Sequence, residues 1–138
     1  MANINQKKYI KNLGKRLVFF LIILILILAK FFNELNWTKW EYYGKFSKVN
    51  FYIRYYIKPD GRTKVQWRAE NLNNQSMLIS IRDRRYYLSD GTSEKIKDIW
   101  AIVKPNKIYT FPADKFTKAK ILRIENYYYV HPDQPIKK

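Results

Sequence analysis

Hydrophobic positions along the chain fall into two regimes. From Leu17 to Ala29 every residue is apolar, mostly Leu and Ile, and Phe31 and Phe32 extend the run past a single Lys30. A soluble helix shows a polar stripe, and a strand of a soluble sheet rarely runs this long. From Val49 the pattern becomes strict alternation. Val49, Phe51, Ile53, Tyr55 and Ile57 share one face, and Asn50, Tyr52, Arg54, Tyr56 and Lys58 the other. That is the two-residue period of a half-buried strand.

The first regime predicts a membrane-spanning helix over 17–35. Its uninterrupted core is short, since sixteen helical residues rise about 24 Å against a hydrocarbon thickness of roughly 30 Å. Lys15, Arg16 and Lys30 can lay their stems along the core and lift their charges to the headgroups. Leu13 and Leu35 lengthen the apolar span. A cleaved signal peptide is disfavoured, because "LAKFFNELNW" offers bulky Phe31 and Phe32 where a small-x-small pair is needed. A pilin-like leader ending at Gly14 lacks the apolar residues that should follow the glycine and an early Glu. A retained signal anchor is the expectation. Lys7, Lys8, Lys11, Lys15 and Arg16 precede the run with no acid among them, so residues 1–16 are read as a basic cytoplasmic tail. The remainder then faces the periplasm or exterior, anchored to the cytoplasmic membrane. Trp37, Trp40, Tyr42 and Tyr43 follow directly, and suit either an interfacial aromatic belt or the start of the next domain's core.

The second regime continues as strands punctuated by turns. "PDGR" at 59–62 closes a hairpin between the strand from Val49 and one with Val65, Trp67 and Ala69 inward. After the polar loop "NLNNQ" at 71–75, Met77, Ile79 and Ile81 point inward. "RDRR" at 82–85 is a charged bend or bulge, and "YYL" a short strand closed by "SDGT". Residues 95–103 fit a strand better than a helix, "KIYTF" at 107–111 is another strand, and "AKILRIENYYYV" a last one with Leu122, Ile124, Tyr128 and Val130 on one face. About seven short strands at near-regular spacing predict an antiparallel β-sandwich over 36–130. With "NLNNQ" after a strand and "YYLSDGT" later, residues 46–130 resemble immunoglobulin-like domains tethered to bacterial envelopes. The fold expected is therefore mainly β, an immunoglobulin-like antiparallel β-sandwich following one N-terminal transmembrane helix. Residues 131–138 are expected to be a frayed tail.

Composition then narrows the chemistry. The chain has no cysteine, so disulfides, thiolate metal sites and a cysteine nucleophile are excluded. One histidine, His131, supplies neither a zinc site nor a well-placed triad. The glycines at 14, 44, 61 and 91 are too scattered for a phosphate-cradling loop. Asp90, Glu94 and Asp98 recur every four residues, but with Lys95 and Lys97 between them a solvated surface is the better reading. "NWT" and "NQS" match the glycosylation acceptor pattern at Asn36 and Asn74, a frequent chance match. No catalytic residue, metal ligand, cofactor or small-molecule substrate is expected.

Charge is the remaining signal. The net charge is +16, from 27 Lys and Arg against 11 Asp and Glu, and only six of the basic residues lie before Asn33. Arg82, Arg84 and Arg85 form a candidate anion or partner patch among the tyrosines. The leading expectation is a non-enzymatic, single-pass membrane subunit of a larger secretion, motility, transport or respiratory assembly. Its partners would be the bilayer and other subunits of that complex. The competing expectation is an independent envelope module that recognises anionic glycan or lipid through a basic aromatic face. Nucleic acid is not expected as a partner, because the orientation keeps the domain outside the cytoplasm.

Overall fold

The computed structural model describes residues 4–133, without the side chains of 5, 7, 8, 33 and 35. The chain divides into two units, Met1–Asn36 and Trp37–Lys138.

The first unit is a single helix, α1 (Ile4–Leu35). Residues 4–16 are therefore helical and continuous with the apolar run. Among the described residues of this unit nothing covers the apolar run, and every residue from Leu17 to Phe32 is exposed. Among the described residues no helix is long and apolar enough to cross a membrane, which departs from the expected membrane-spanning segment. The reason is the position of the charges. Between Arg16 and Lys30 the charge-free run measures only about 20 Å of rise, against a hydrocarbon core of about 30 Å.

The second unit is mainly β, with eight strands in two antiparallel sheets among the described residues. The strands are β1 (Glu41–Phe46), β2 (Val49–Ile57), β3 (Thr63–Asn71), β4 (Met77–Leu88), β5 (Ser93–Lys95), β6 (Ile99–Val103), β7 (Ile108–Thr110) and β8 (Ile121–Pro132). Sheet A runs β1-β2-β3-β7. Sheet B is organised by β4. Along one edge β4 pairs with β8 from Met77 to Leu88. A strand has only two edges, so β6 and β5 share the other, opposite Met77–Ile81 and Arg85–Tyr87 respectively. One core lies between the sheets. Phe51, Ile53, Val65 and Trp67 enter it from sheet A, and Ile79, Ile81 and Tyr86 from sheet B.

Local chemistry explains the connections. In "PDGR", Gly61 has φ +88°, and the Asp60 carboxylate accepts from the Arg62 amide at 3.0 Å. The "SDGT" turn repeats the device with Gly91 at φ +83° and Asp90 accepting from Thr92. β1 and β2 are joined by Ser47 and Lys48, both left-handed at φ 47° and 57°. Asn73 supports this turn by donating to the Ser47 carbonyl at 3.0 Å.

Two irregularities reset the pattern of inward side chains. Asp83 adopts φ 50° and interrupts the β4–β8 register between Arg82 and Arg85. Before it Met77, Ile79 and Ile81 point inward, and after it Arg84, Tyr86 and Leu88 do. "RDRR" and "YYL" are thus one bulged strand. A second shift, between Tyr87 and Leu88, turns Ile121 inward and leaves Leu122 exposed, whereas alternation alone had placed Leu122 inside. β8 also continues through His131 and Pro132, so these two belong to the sheet. Residues 134–138 of the expected tail lie outside the described residues.

Candidate functional site

Three features of the β unit carry unusual side-chain chemistry: the outer face of each sheet, and a charge cluster inside.

The inner cluster centres on Arg84. Because the Asp83 bulge shifts the alternation, Arg84 points into the core and is 1 % exposed. Its Nη1 donates to Asp114 Oδ2 at 2.7 Å, and its Nε to the Lys97 carbonyl at 3.0 Å, with Nη2 reaching the same carbonyl. Tyr86 donates its hydroxyl proton to the same carboxylate oxygen at 2.5 Å. Burial, and then the Asp114 carboxylate, push the Tyr86 phenol far above its ordinary pKa. The cluster fastens the segment between β7 and β8 onto sheet B. It lies beneath a cleft of about 600 Å³ whose rim carries Lys95, Lys97, Lys115 and Lys118. A buried ion pair of this kind fixes geometry more than it stabilises.

The outer face of sheet A is a ladder of cations and rings. Arg68 lies 4.0 Å from the Trp40 ring centre, and Arg54 lies 4.6 Å from Trp40 and 4.8 Å from Trp37. Trp37 meets Tyr56 edge to face at 5.8 Å, and Tyr56 meets Phe116 at 5.4 Å. Lys58 sits 4.2 Å above Phe116, and Lys64 at 5.2 Å. Trp37 and Thr38 are fixed to the end of β2 by a bridge to Tyr56 and by Thr38, whose hydroxyl accepts from the Tyr55 amide. Glu70 closes the row, held below the usual carboxylate range by hydrogen bonds from Asn50 and Tyr52. Each contact of this type contributes about 0.5–1 kcal/mol when exposed.

The outer face of sheet B is more apolar. Trp100 and Ile102 are 67 % and 50 % exposed. Across β4 they stand in register with Ser80 and Leu78, and on the far side with Tyr129 and His131. Arg82 crosses the face above the Tyr129 ring at 4.2 Å. Small Ser80 forms the floor of a shallow groove of about 390 Å³ between Trp100, Leu78 and Arg82.

Several expectations separate here. Lys15, Arg16 and Lys30 lie on α1 at the ends of the apolar run. Trp37 and Trp40 lie on the outside of sheet A. Tyr42 is exposed and packs edge-on against Tyr52. Tyr43 instead turns toward the core, 4.9 Å from the Trp67 ring. The three arginines do not form one patch. Arg82 faces out over Tyr129, and Arg85 faces out and donates to Ser93 at 3.1 Å. Arg84 is inside, removed from any surface patch by the bulge. Asp90, Glu94 and Asp98 each accept from a different backbone amide, those of Thr92, Lys118 and Asp83. Among the described residues no group of three potential ligands is close enough to hold a metal ion. His131 stacks parallel to Tyr129 at 6.2 Å on an exposed face.

Sequence reasoning overlooked Asp114, Tyr86 and the Trp100–Ile102 face. A signal for Tyr86 was present: Tyr86 and Leu88 are apolar in phase with Arg84, so a bulge at Asp83 puts all three inside. The chain matches no protein-family model, no curated protein and no solved structure.

Proposed function

We propose that this chain is a membrane-attached, non-enzymatic accessory subunit of a larger membrane assembly, and that its β unit makes the protein–protein contacts. The observation that carries the reading is α1, whose apolar run is exposed on every face. Such a surface is stable only when lipid or protein covers it. Insertion depends on snorkelling by Arg16 and Lys30 and on local thinning of the bilayer, because the charge-free stretch alone is too short. The cations ahead of the run favour a cytoplasmic N-terminus, with the β unit on the periplasmic or outer side of the cytoplasmic membrane. Trp100, Ile102 and Arg82 on sheet B add a surface of the composition found at interface centres. The immunoglobulin-like reading is supported by the pairings β3 with β7 and β4 with β8, which correspond to the B–E and C–F neighbours of that fold.

The test is a native pull-down of the C-terminally tagged chain in mild detergent. A discrete stoichiometric complex supports the subunit reading, and a lone chain overturns it.

A second reading is favoured by the cation–ring ladder on sheet A: an envelope module that binds anionic glycan or lipid headgroups. It requires salt-sensitive binding to dextran sulfate or to vesicles rich in phosphatidylglycerol, weakened by Lys58→Ala with Lys64→Ala. Equal binding by that double variant would remove it.

A further inference from the structure

Sheet edges are unequal in this fold. β5, β6 and β7 are short, at 3, 5 and 3 residues, and β1 is bent by a bulge between Tyr42 and Gly44. Shortness and bulges are the usual means of blunting an edge. β8 has neither along Ile124–His131. It is 12 residues long and pairs only with β4 among the described residues. The direction of its free hydrogen-bonding groups is set by two contacts. The Asp133 amide donates to Ser76 on the β4 side at 2.9 Å, and the Ile124 carbonyl accepts from the Tyr43 hydroxyl at 3.4 Å. By alternation Ile124, Asn126, Tyr128 and Val130 therefore aim their amides and carbonyls away from β4.

The core is incomplete along this same flank. Ile79, Ile81 and Tyr86 on β4 are fully buried, while Ile121, Ile124, Tyr128 and Val130 on β8 are only partly so. A groove of about 380 Å³ opens beside β8, with Tyr43, Ile57, Ile121 and Ile124 in its lining. The Tyr128 hydroxyl, near Gly44 of β1, is buried without a hydrogen-bond partner. Lys120 and Arg123 also line it, and no carboxylate does. The nearest acid on the strand, Glu125, is already engaged by Tyr87 and Arg123.

We propose that the free edge of β8 takes up an acidic extended segment of a partner protein as an additional strand of sheet B. This rests on the subunit reading and specifies its mode. The added strand satisfies the outward amides and carbonyls, inserts alternate apolar side chains into the groove, and sets its acids against Lys120 and Arg123. In the immunoglobulin-like arrangement it occupies the place of a G strand beside β8. A second copy of this chain is the less suitable occupant, because pairing two β8 edges brings two strongly basic chains together.

The full chain in detergent is titrated with fluorescent peptides about ten residues long, the length of an ordinary strand. One alternates Val and Glu, one alternates Val and Lys, and one is the Glu peptide interrupted by Pro. The expected result is binding of the Glu peptide alone, weakening as salt rises. Asn126→Pro, which removes an outward amide, and Lys120→Glu should each lower its affinity by at least about tenfold, or 1.4 kcal/mol. Lys120→Glu is exposed and leaves the ladder intact, so it decides the matter if Asn126→Pro fails to fold. Binding indifferent to peptide charge, or to both variants, overturns the proposal. So does concentration-dependent dimerisation that the same variants abolish, since it names a second copy as the occupant. A stoichiometric complex that survives both variants in the pull-down removes the edge proposal and spares the subunit reading. Peptide binding without any complex does the reverse.

Discussion

Arg82 and Arg84 stand two residues apart and meet opposite environments. Arg82 spreads over Tyr129 on an outer face, so Arg82→Ala should cost less than about 1 kcal/mol in urea unfolding. Arg84 neutralises Asp114 in the interior. Arg84→Met strands that carboxylate and should cost about 3–5 kcal/mol. If the two variants unfold alike, the internal ion pair is not formed in solution. Tyr86 and Tyr55 make a pH prediction with a definite sign. Both phenols are raised, Tyr55 to about 12, chiefly by burial. The unfolded chain ionises near pH 10.0 while the folded chain stays neutral. Their contribution is therefore complete below about pH 10 and lost as pH climbs past it. Melting temperature should hold steady from neutral pH to about pH 9 and then fall. Tyr86→Phe should be less stable at neutral pH by about 1–3 kcal/mol, having lost the bond to Asp114. It should also show a shallower alkaline fall.

At the scale of elements, β4 shows what alternation can and cannot reveal. The inward set before Asp83 was legible, because Met77, Ile79 and Ile81 keep a clean two-residue period. The inward set after it, Arg84, Tyr86 and Leu88, was not, because a charged "RDRR" is equally compatible with a loop and hides the change of phase. The left-handed φ of Asp83 makes the bulge testable. Asp83→Gly should be nearly neutral, whereas Asp83→Val should cost about 1–2 kcal/mol in thermal unfolding. A Val variant as stable as the Gly variant would mean that the strand is regular there. β1 was missed for a related reason. Its hairpin turn, Ser47-Lys48, needs two positive φ angles without the Asn-Gly pair that normally advertises them, and Asn73, far along the chain, makes up the difference. Leu122 was assigned to the wrong face because the bulge opposite Leu88 leaves no trace in the hydrophobicity of "AKIL". The turns at 59–62 and 89–92 were readable, since Asp-Gly states its own conformation.

For the whole molecule the question is what covers α1. If lipid does, the chain should resist alkaline carbonate extraction from membranes. Leu24→Arg with Ile25→Arg should release it, each charge costing about 2.5–3.5 kcal/mol at a bilayer centre. Release of the unmodified chain would point to a protein cover instead. The candidate surfaces were less legible than the fold. Alternation through Ile99, Ala101 and Val103 leaves Trp100 and Ile102 on the other face without saying that they gather into a surface, and the ladder over Trp37 and Trp40 joins residues from β2, β3, the turn between them and the segments before β1 and after β7. Period and composition report which positions alternate, not which of two outer faces a loop folds back upon.

The pairing of β4 with β8 has a consequence for how the chain is made. The strand that seals the long edge of β4 is the last to be synthesised, some thirty residues after β4 is finished, an interval of about 2–6 s at ordinary rates of translation. Until then Ile79, Ile81 and Tyr86 have no neighbour on that side. The β unit therefore closes only once β8 has been made, by a pairing of distant segments that is intrinsically slow. A premature stop ahead of β8 removes sheet B's longest ladder, so such truncated products should be cleared by proteases rather than accumulate as shortened domains.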